Sequence, residues 1–100
     1  MTIYEHKTSM TTASGTISTV SLKVPGGLLR YVLIRANTDT TVFRFKLTDD
    51  NSKIRLNYGF HQGELVDDKI TMPITGAYTA SITNASPDDT FDVILAIQEN

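Results

Sequence analysis

Apolar and polar residues alternate with a period of two along most of this chain. That period belongs to strands with one face on a core. It is cleanest from 41 to 58. Phe43, Phe45 and Leu47 alternate with Arg44, Lys46 and Thr48, and Ile54, Leu56 and Tyr58 alternate with Lys53, Arg55 and Asn57. Asp49-Asp50-Asn51-Ser52 between the two runs predicts a four-residue hairpin turn. Phe43 then faces Tyr58, Phe45 faces Leu56, and Leu47 faces Ile54. All six apolar side chains share one face, and a one-residue slip would destroy that.

Residues 16–24 read as another strand, with Val20, Leu22 and Val24 on one face. Ile17 is out of step, which predicts a bulge near Ser18. Pro25-Gly26-Gly27 has the residues of a tight turn, because Pro presets φ and Gly accepts a positive φ. Residues 28–36 are apolar on both sides: Leu29, Tyr31 and Leu33 point one way, Val32, Ile34 and Ala36 the other. Such a strand is central or lies in an interface. Beyond the polar loop 37–40 and a break bracketed by Gly59 and Gly63, residues 69–75 form a strand with Ile70, Met72 and Ile74 inward. Pro73 cannot donate to a ladder and predicts an edge strand or one with its N–H outward. Tyr78, Ala80 and Ile82 mark the next strand, 84–89 a turn, and Phe91, Val93, Leu95 and Ile97 the inward side of the last strand.

Seven or eight short strands at intervals of about ten residues predict an all-β fold, an antiparallel β-sandwich of jelly-roll or immunoglobulin-like topology. The Cys…Trp…Cys pattern of true immunoglobulin domains is missing. Residues 1–14 read as an extended N-terminal arm or edge strand, and 15–100 as a single domain.

Composition sharpens this picture. Among 100 residues, 15 Thr, 9 Ile and 6 Val are β-branched, whereas Ala numbers only 6 and Glu 3. That balance opposes a helical bundle. The absence of cysteine excludes a disulfide scaffold, a Cys-ligated zinc module and thiol chemistry. A net charge of −2 argues against direct nucleic-acid binding through bulk charge. Apolar runs such as 31–34 and 93–97 are far below the ~18 residues of a membrane span, and the polar start lacks a signal peptide's apolar core. No membrane partner is expected.

Candidate chemistry is sparse. His6 and His61 have no second His at metal-binding spacing, and no HExxH, P-loop or GxSxG motif occurs. His61 is the best single candidate for a catalytic or pH-sensing role, against the simpler reading of a solvated loop histidine. Three acidic doublets, Asp49-Asp50, Asp67-Asp68 and Asp88-Asp89, sit in turns. Turn chemistry accounts for them better than calcium, because no DxDxDG loop is present. Asn84-Ala85-Ser86 matches a glycosylation sequon without the signal peptide that would make it usable. The chain is therefore expected to be no enzyme, with no cofactor and no metal.

Two surfaces remain as candidate partner-binding sites. Arg44, Lys46, Lys53 and Arg55 fall on the outward face of the 41–58 hairpin, with Lys46 opposite Arg55. Four cations together suggest an acidic partner or phosphate, against the simpler reading of a solvated face whose long side chains splay apart. Val32, Ile34 and Ala36, with Ile94 and Ala96 of the last strand, form a surplus apolar patch, covered either by the arm or by another subunit.

Residues 75–99, TGAYTASITNASPDDTFDVILAIQE, resemble the last two strands of small β-sandwich modules in virion proteins and in carbohydrate-binding or pre-peptidase modules. The whole chain, small, Thr-rich and Cys-free, is similar to small bacteriophage capsid decoration (cement) proteins. That resemblance implies a non-enzymatic virion protein, assembled in the host cytoplasm. Its partners would be the major capsid protein or another virion subunit, and further copies in a homo-oligomer. The alternative is a carbohydrate-binding or receptor-binding module of a tail or fibre. Sugar platforms favour exposed Trp or Tyr. This chain has no Trp, and the alternation puts Tyr31, Tyr58 and Tyr78 inward, leaving Tyr4 free.

Overall fold

A computed structural model describes residues 2–12, 18–83 and 89–99. The described residues form eight strands: β1 (Ile3–Thr12), β2 (Ser18–Ala36), β3 (Val42–Asp49), β4 (Ile54–Asn57), β5 (His61–Gln62), β6 (Glu64–Asp67), β7 (Met72–Thr83) and β8 (Asp89–Glu99). The bulge expected near Ser18 at Ile17, and the sequon at Asn84, lie outside the described residues.

Every pairing is antiparallel. β1 pairs with β8, the first half of β2 with β7, the second half of β2 with β6, and β3 with β4. These are the successive rungs of one long hairpin rolled on itself. Two closing contacts, β8 on β2 and β7 on β3, complete the roll. One leaf of the sandwich is β1-β8-β2-β6, and the other is β2-β7-β3-β4, with β5 continuing beside β3. This is jelly-roll order. β1 is the edge strand of its leaf, paired with β8 from Ile3 to Thr12.

The two strands expected on either side of Pro25-Gly26-Gly27 are one strand of 19 residues, shared by both leaves. In place of a turn there is a bulge, with a register shift between Val24 and Gly27. A bulge accepts Pro because the extra residue leaves the ladder, and it bends the strand from one leaf into the other. A second shift falls between Leu29 and Tyr31. Each extra residue exchanges the inward and outward sets. The buried positions therefore run Leu22, Val24, then Leu29, then Val32, Ile34 and Ala36.

The hairpin register also differs from expectation. Leu47 faces Leu56, Lys46 faces Asn57, and Thr48 faces Ile54 across a bulge. The turn is tighter than four residues: the Asp49 N–H donates to the Lys53 carbonyl at 2.9 Å around residues 50–52, and the Asp49 carboxylate caps it. Its Oδ1 accepts the N–H groups of Asn51 and Lys53 at 3.0 and 2.9 Å, and Ser52 takes a positive φ of 64°. Phe43 consequently pairs with His61 of β5 instead of Tyr58. Ile54, expected inward, stands opposite Thr48 on the outside and is 55% exposed.

The core fills the space between the leaves. Phe43 from one leaf meets Phe91 from the other edge-to-face, with ring centroids 5.2 Å apart. This geometry suits the ring quadrupoles. Three buried polar residues, Thr12, Thr41 and Asp89, bond to one another at one end of the sandwich. Burial of these groups is tolerable because their polar atoms are paired.

Candidate interaction faces

The outer face of the β1-β8-β2-β6 leaf is organised in rows by the register. Leu33 faces Ile94 on one side and Val66 on the other, and Ile94 faces Lys7 of β1. The next row holds Tyr31, Ala96 and Glu5. On the opposite flank of the apolar row stand Glu64, Arg35, Asp92 and Ser9. Arg35 Nε lies 3.3 Å from Glu64 Oε2, and Lys7 Nζ lies 3.5 Å from Glu5 Oε1. Val66 is 48% exposed, while Tyr31, Leu33 and Ile94 are half-buried. The result is an apolar row bordered by charges of both signs.

An outward apolar patch across the second half of β2 and β8 is thus present, but its β2 members differ from those expected. Ile94 and Ala96 belong to it by register, with Ala96 only 9% exposed. Val32, Ile34 and Ala36 do not: they are buried in the core. The bulge at Arg30 exchanges the two sets, and Tyr31 and Leu33 take the outward places. Tyr31, expected inward, is therefore an outer-face residue.

The outer face of the β2-β7-β3-β4 leaf is different. Thr19, Ser81, Lys46 and Asn57 form one row, and Ser21, Thr79 and Thr48 the next. Lys23 stands beside Ala77 and Arg44 beside Thr83. The described residues on this face include no carboxylate. Lys23 and Lys46 form no ion pair among the described residues. Arg44 is anchored: Nε donates to the Tyr58 carbonyl and Nη2 to Asn57 Oδ1, both at 3.4 Å. Its guanidinium lies 5.4 Å from the ring centre of Phe60, which is 61% exposed.

Of the four cations expected together, Arg44 and Lys46 share this face. Lys53 is exposed in the hairpin turn. Arg55 leaves the group because of the bulge beside it. Its Nη1 is 3.7 Å from Asp49 Oδ2, and it lines a cleft with Gly26, Gly27, Pro73, Ile74, Thr75 and Tyr78. The like-charge pair of Lys46 and Arg55 does not form, since Lys46 faces Asn57.

That cleft has a volume of about 390 Å³. The Tyr78 hydroxyl at its wall accepts the Thr75 N–H at 3.1 Å, and Arg55 is paired with Asp49. Arg55 and Tyr78 are thus engaged within the fold. His61 is half-buried, with Nδ1 3.0 Å from the Gly59 carbonyl and its ring edge-on to Tyr58. The Tyr58 hydroxyl donates to Asp67 Oδ2 at 2.7 Å. Burial, then the bond to Asp67 and its charge, push the phenol above its ordinary range. In the acidic doublets, Asp49, Asp67 and Asp89 accept backbone N–H bonds locally. No group of three or more His, Cys, Asp or Glu that could hold a metal ion occurs among the described residues.

Tyr31, Leu33, Val66 and Lys23 are the face residues that sequence reasoning missed. Lys23 was visible in principle, since it alternates with Leu22 and Val24. Val66 was hidden because Glu64–Asp67 is too short to show a period.

No family model matches the chain, and no curated protein matches it. Among solved structures, a ruminal GH26 endo-beta-1,4-mannanase is similar over 91% of this chain, at 13% identity and a TM-score of 0.43. The chain spans 19% of that protein's length. A likeness of this size bears on neither activity nor partners.

Proposed function

We propose that this chain is a non-enzymatic structural protein of a virion, decorating a phage capsid through protein–protein contacts. The observation that supports the reading is the pair of outer faces. One sandwich carries an apolar row bordered by mixed charge on one side, and a cationic, hydroxyl-rich sheet on the other. A protein that bridges two neighbours needs two unlike faces, and each face here has its own chemistry. The lysine-bearing face suits an acidic shell surface, because opposite charge steers docking and suppresses wrong partners. Mechanically, each bound copy adds buried area between shell subunits and resists their separation.

The experiment is the composition of purified particles of the phage that encodes the chain. The expected result is a fixed ratio of this chain to the major capsid protein. It should rebind stripped shells, and Lys23→Glu/Lys46→Glu should abolish rebinding while leaving the fold intact. Absence from particles, or rebinding indifferent to both lysines, overturns the reading. Selective binding to a glycan instead would favour the carbohydrate-binding alternative.

A further inference from the structure

The rows on the outer face of β1-β8-β2-β6 are complementary to themselves. Consider a two-fold axis lying in the contact plane, parallel to the strands and midway between β2 and β8. It lays β2 on the partner's β8 and keeps each row at its own height. Leu33 then meets the partner's Ile94, and Tyr31, the largest side chain of the face, meets the partner's Ala96, the smallest. Arg35 meets the partner's Asp92. All three matches follow from cross-strand pairs within one chain: Leu33 with Ile94, Tyr31 with Ala96, and Arg35 with Asp92.

The other two-fold in that plane, across the strands, does the reverse. It sets Arg35 on the partner's Tyr31 and Asp92 on the partner's Ala96, leaving a carboxylate against a methyl group. The first axis also lays Val66 on the partner's Lys7, whose stem can cover apolar surface with its ammonium at the rim, whereas the second sets Lys7 on the partner's Lys7. Burying an unpaired charge is costly, so the row chemistry selects the first axis. Asp92 is available for the role, since it forms no ion pair among the described residues. Aligned sheets cross at about 30°, which places the axis roughly 15° from the strands.

We infer that this face is an isologous interface between two copies of the chain, with Leu33 and Ile94 at its centre and Arg35–Asp92 contacts made twice at its flank. The inference stands apart from the virion reading. A dimer can form without a shell, and shell binding by the lysine face can occur without this dimer.

The test is the mass of the folded protein by light scattering over a concentration series. Wild type is expected to be a dimer. Arg35→Glu opposes two carboxylates at each contact and Asp92→Arg opposes two cations, so each variant alone should dimerise at least about tenfold more weakly. An equimolar mixture of the two variants restores both contacts and should recover dimers, each containing one copy of each variant. Leu33→Asp should remain monomeric in any mixture. A wild-type monomer at all concentrations overturns the inference, whatever the variants do. So does a dimer unaffected by the charge substitutions, which would point to pairing through the β1 edge. A mixture that fails to recover dimers, with both variants folded by circular dichroism, overturns the assigned axis and the interface with it.

Discussion

Thr41 donates its hydroxyl to Asp89 Oδ2 at 2.5 Å, joining residues 48 apart in the chain at one closed end of the sandwich. Asp89 Oδ1 accepts the Thr90 N–H, and the Asp89 N–H donates to Thr12 Oγ1. One aspartate thereby fastens the end of β1, the approach to β3 and the start of β8. Asp89→Ala leaves the Thr41 hydroxyl buried without its carboxylate partner and removes the charge-assisted bonds to Thr41 and to the Thr90 N–H. The expected loss is about 2–4 kcal/mol, read as a lower urea midpoint with an unchanged slope. Thr41→Val should cost less, about 1–3 kcal/mol, because it leaves Asp89 its backbone bonds.

Gly26 and Gly27 are adjacent in the bend of β2, yet only one of them should be replaceable. A Cβ at Gly27 would stand 2.4 Å from the Gln98 carbonyl oxygen and 2.9 Å from Ile97 Cγ2. A Cβ at Gly26 meets nothing closer than Thr75 Oγ1 at 3.4 Å. Gly27→Ala therefore forces β8 away from β2 and should cost roughly 1–3 kcal/mol. Gly26→Ala should stay within about 0.5 kcal/mol of wild type. Thermal unfolding of the two variants side by side checks the difference.

These glycines also show what was legible in the sequence. Single-period strands were readable: Phe43, Phe45 and Leu47, and Phe91, Val93, Leu95 and Ile97, are all buried as the alternation predicts. The all-β class follows from such segments. What failed were the places where one residue is inserted. Leu28 to Ala36 is apolar on both sides, so its pattern carries no record of the bulge at Arg30. Pro25-Gly26-Gly27 is composed like a turn, and only the neighbouring strands make it a bend within β2. At the hairpin tip, the Asp49 side chain, rather than chain length, sets the register. The apolar face was thus foreseen through Ile94 and Ala96, and misassigned through Val32, Ile34 and Ala36.

Asp49 carries a pH prediction. The N–H of Lys53 chiefly, then that of Asn51 and the charge of Arg55, hold its carboxyl below the ordinary range, against an opposing effect of desolvation. A lowered folded-state value means that the stabilisation is present above the unfolded value and is lost as pH falls through the folded one. The Asn51 and Lys53 amide shifts should therefore change together in acid, below the range of a free carboxylate. In Asp49→Asn that acid step should vanish. Amide shifts that titrate at the ordinary value would contradict the assignment.

Tyr58 carries the opposite sign. Its raised phenol contributes stability that is whole below the ordinary tyrosine range and is lost as pH rises above it. Tyr58→Phe removes the bond to Asp67, which ties the end of β4 to β6. In this half-exposed site the expected cost is about 1 kcal/mol. In an ultraviolet titration, the last phenol to ionise in wild type should be missing from the variant.

The two-faced bridging role is tested most directly by an electron cryomicroscopy reconstruction of shells saturated with the chain. The account predicts density in which Lys23, Arg44 and Lys46 face the shell, with the opposite β2–β8 face turned away from it. Density attached through a loop end of the sandwich, or a shell that gains none, would contradict it.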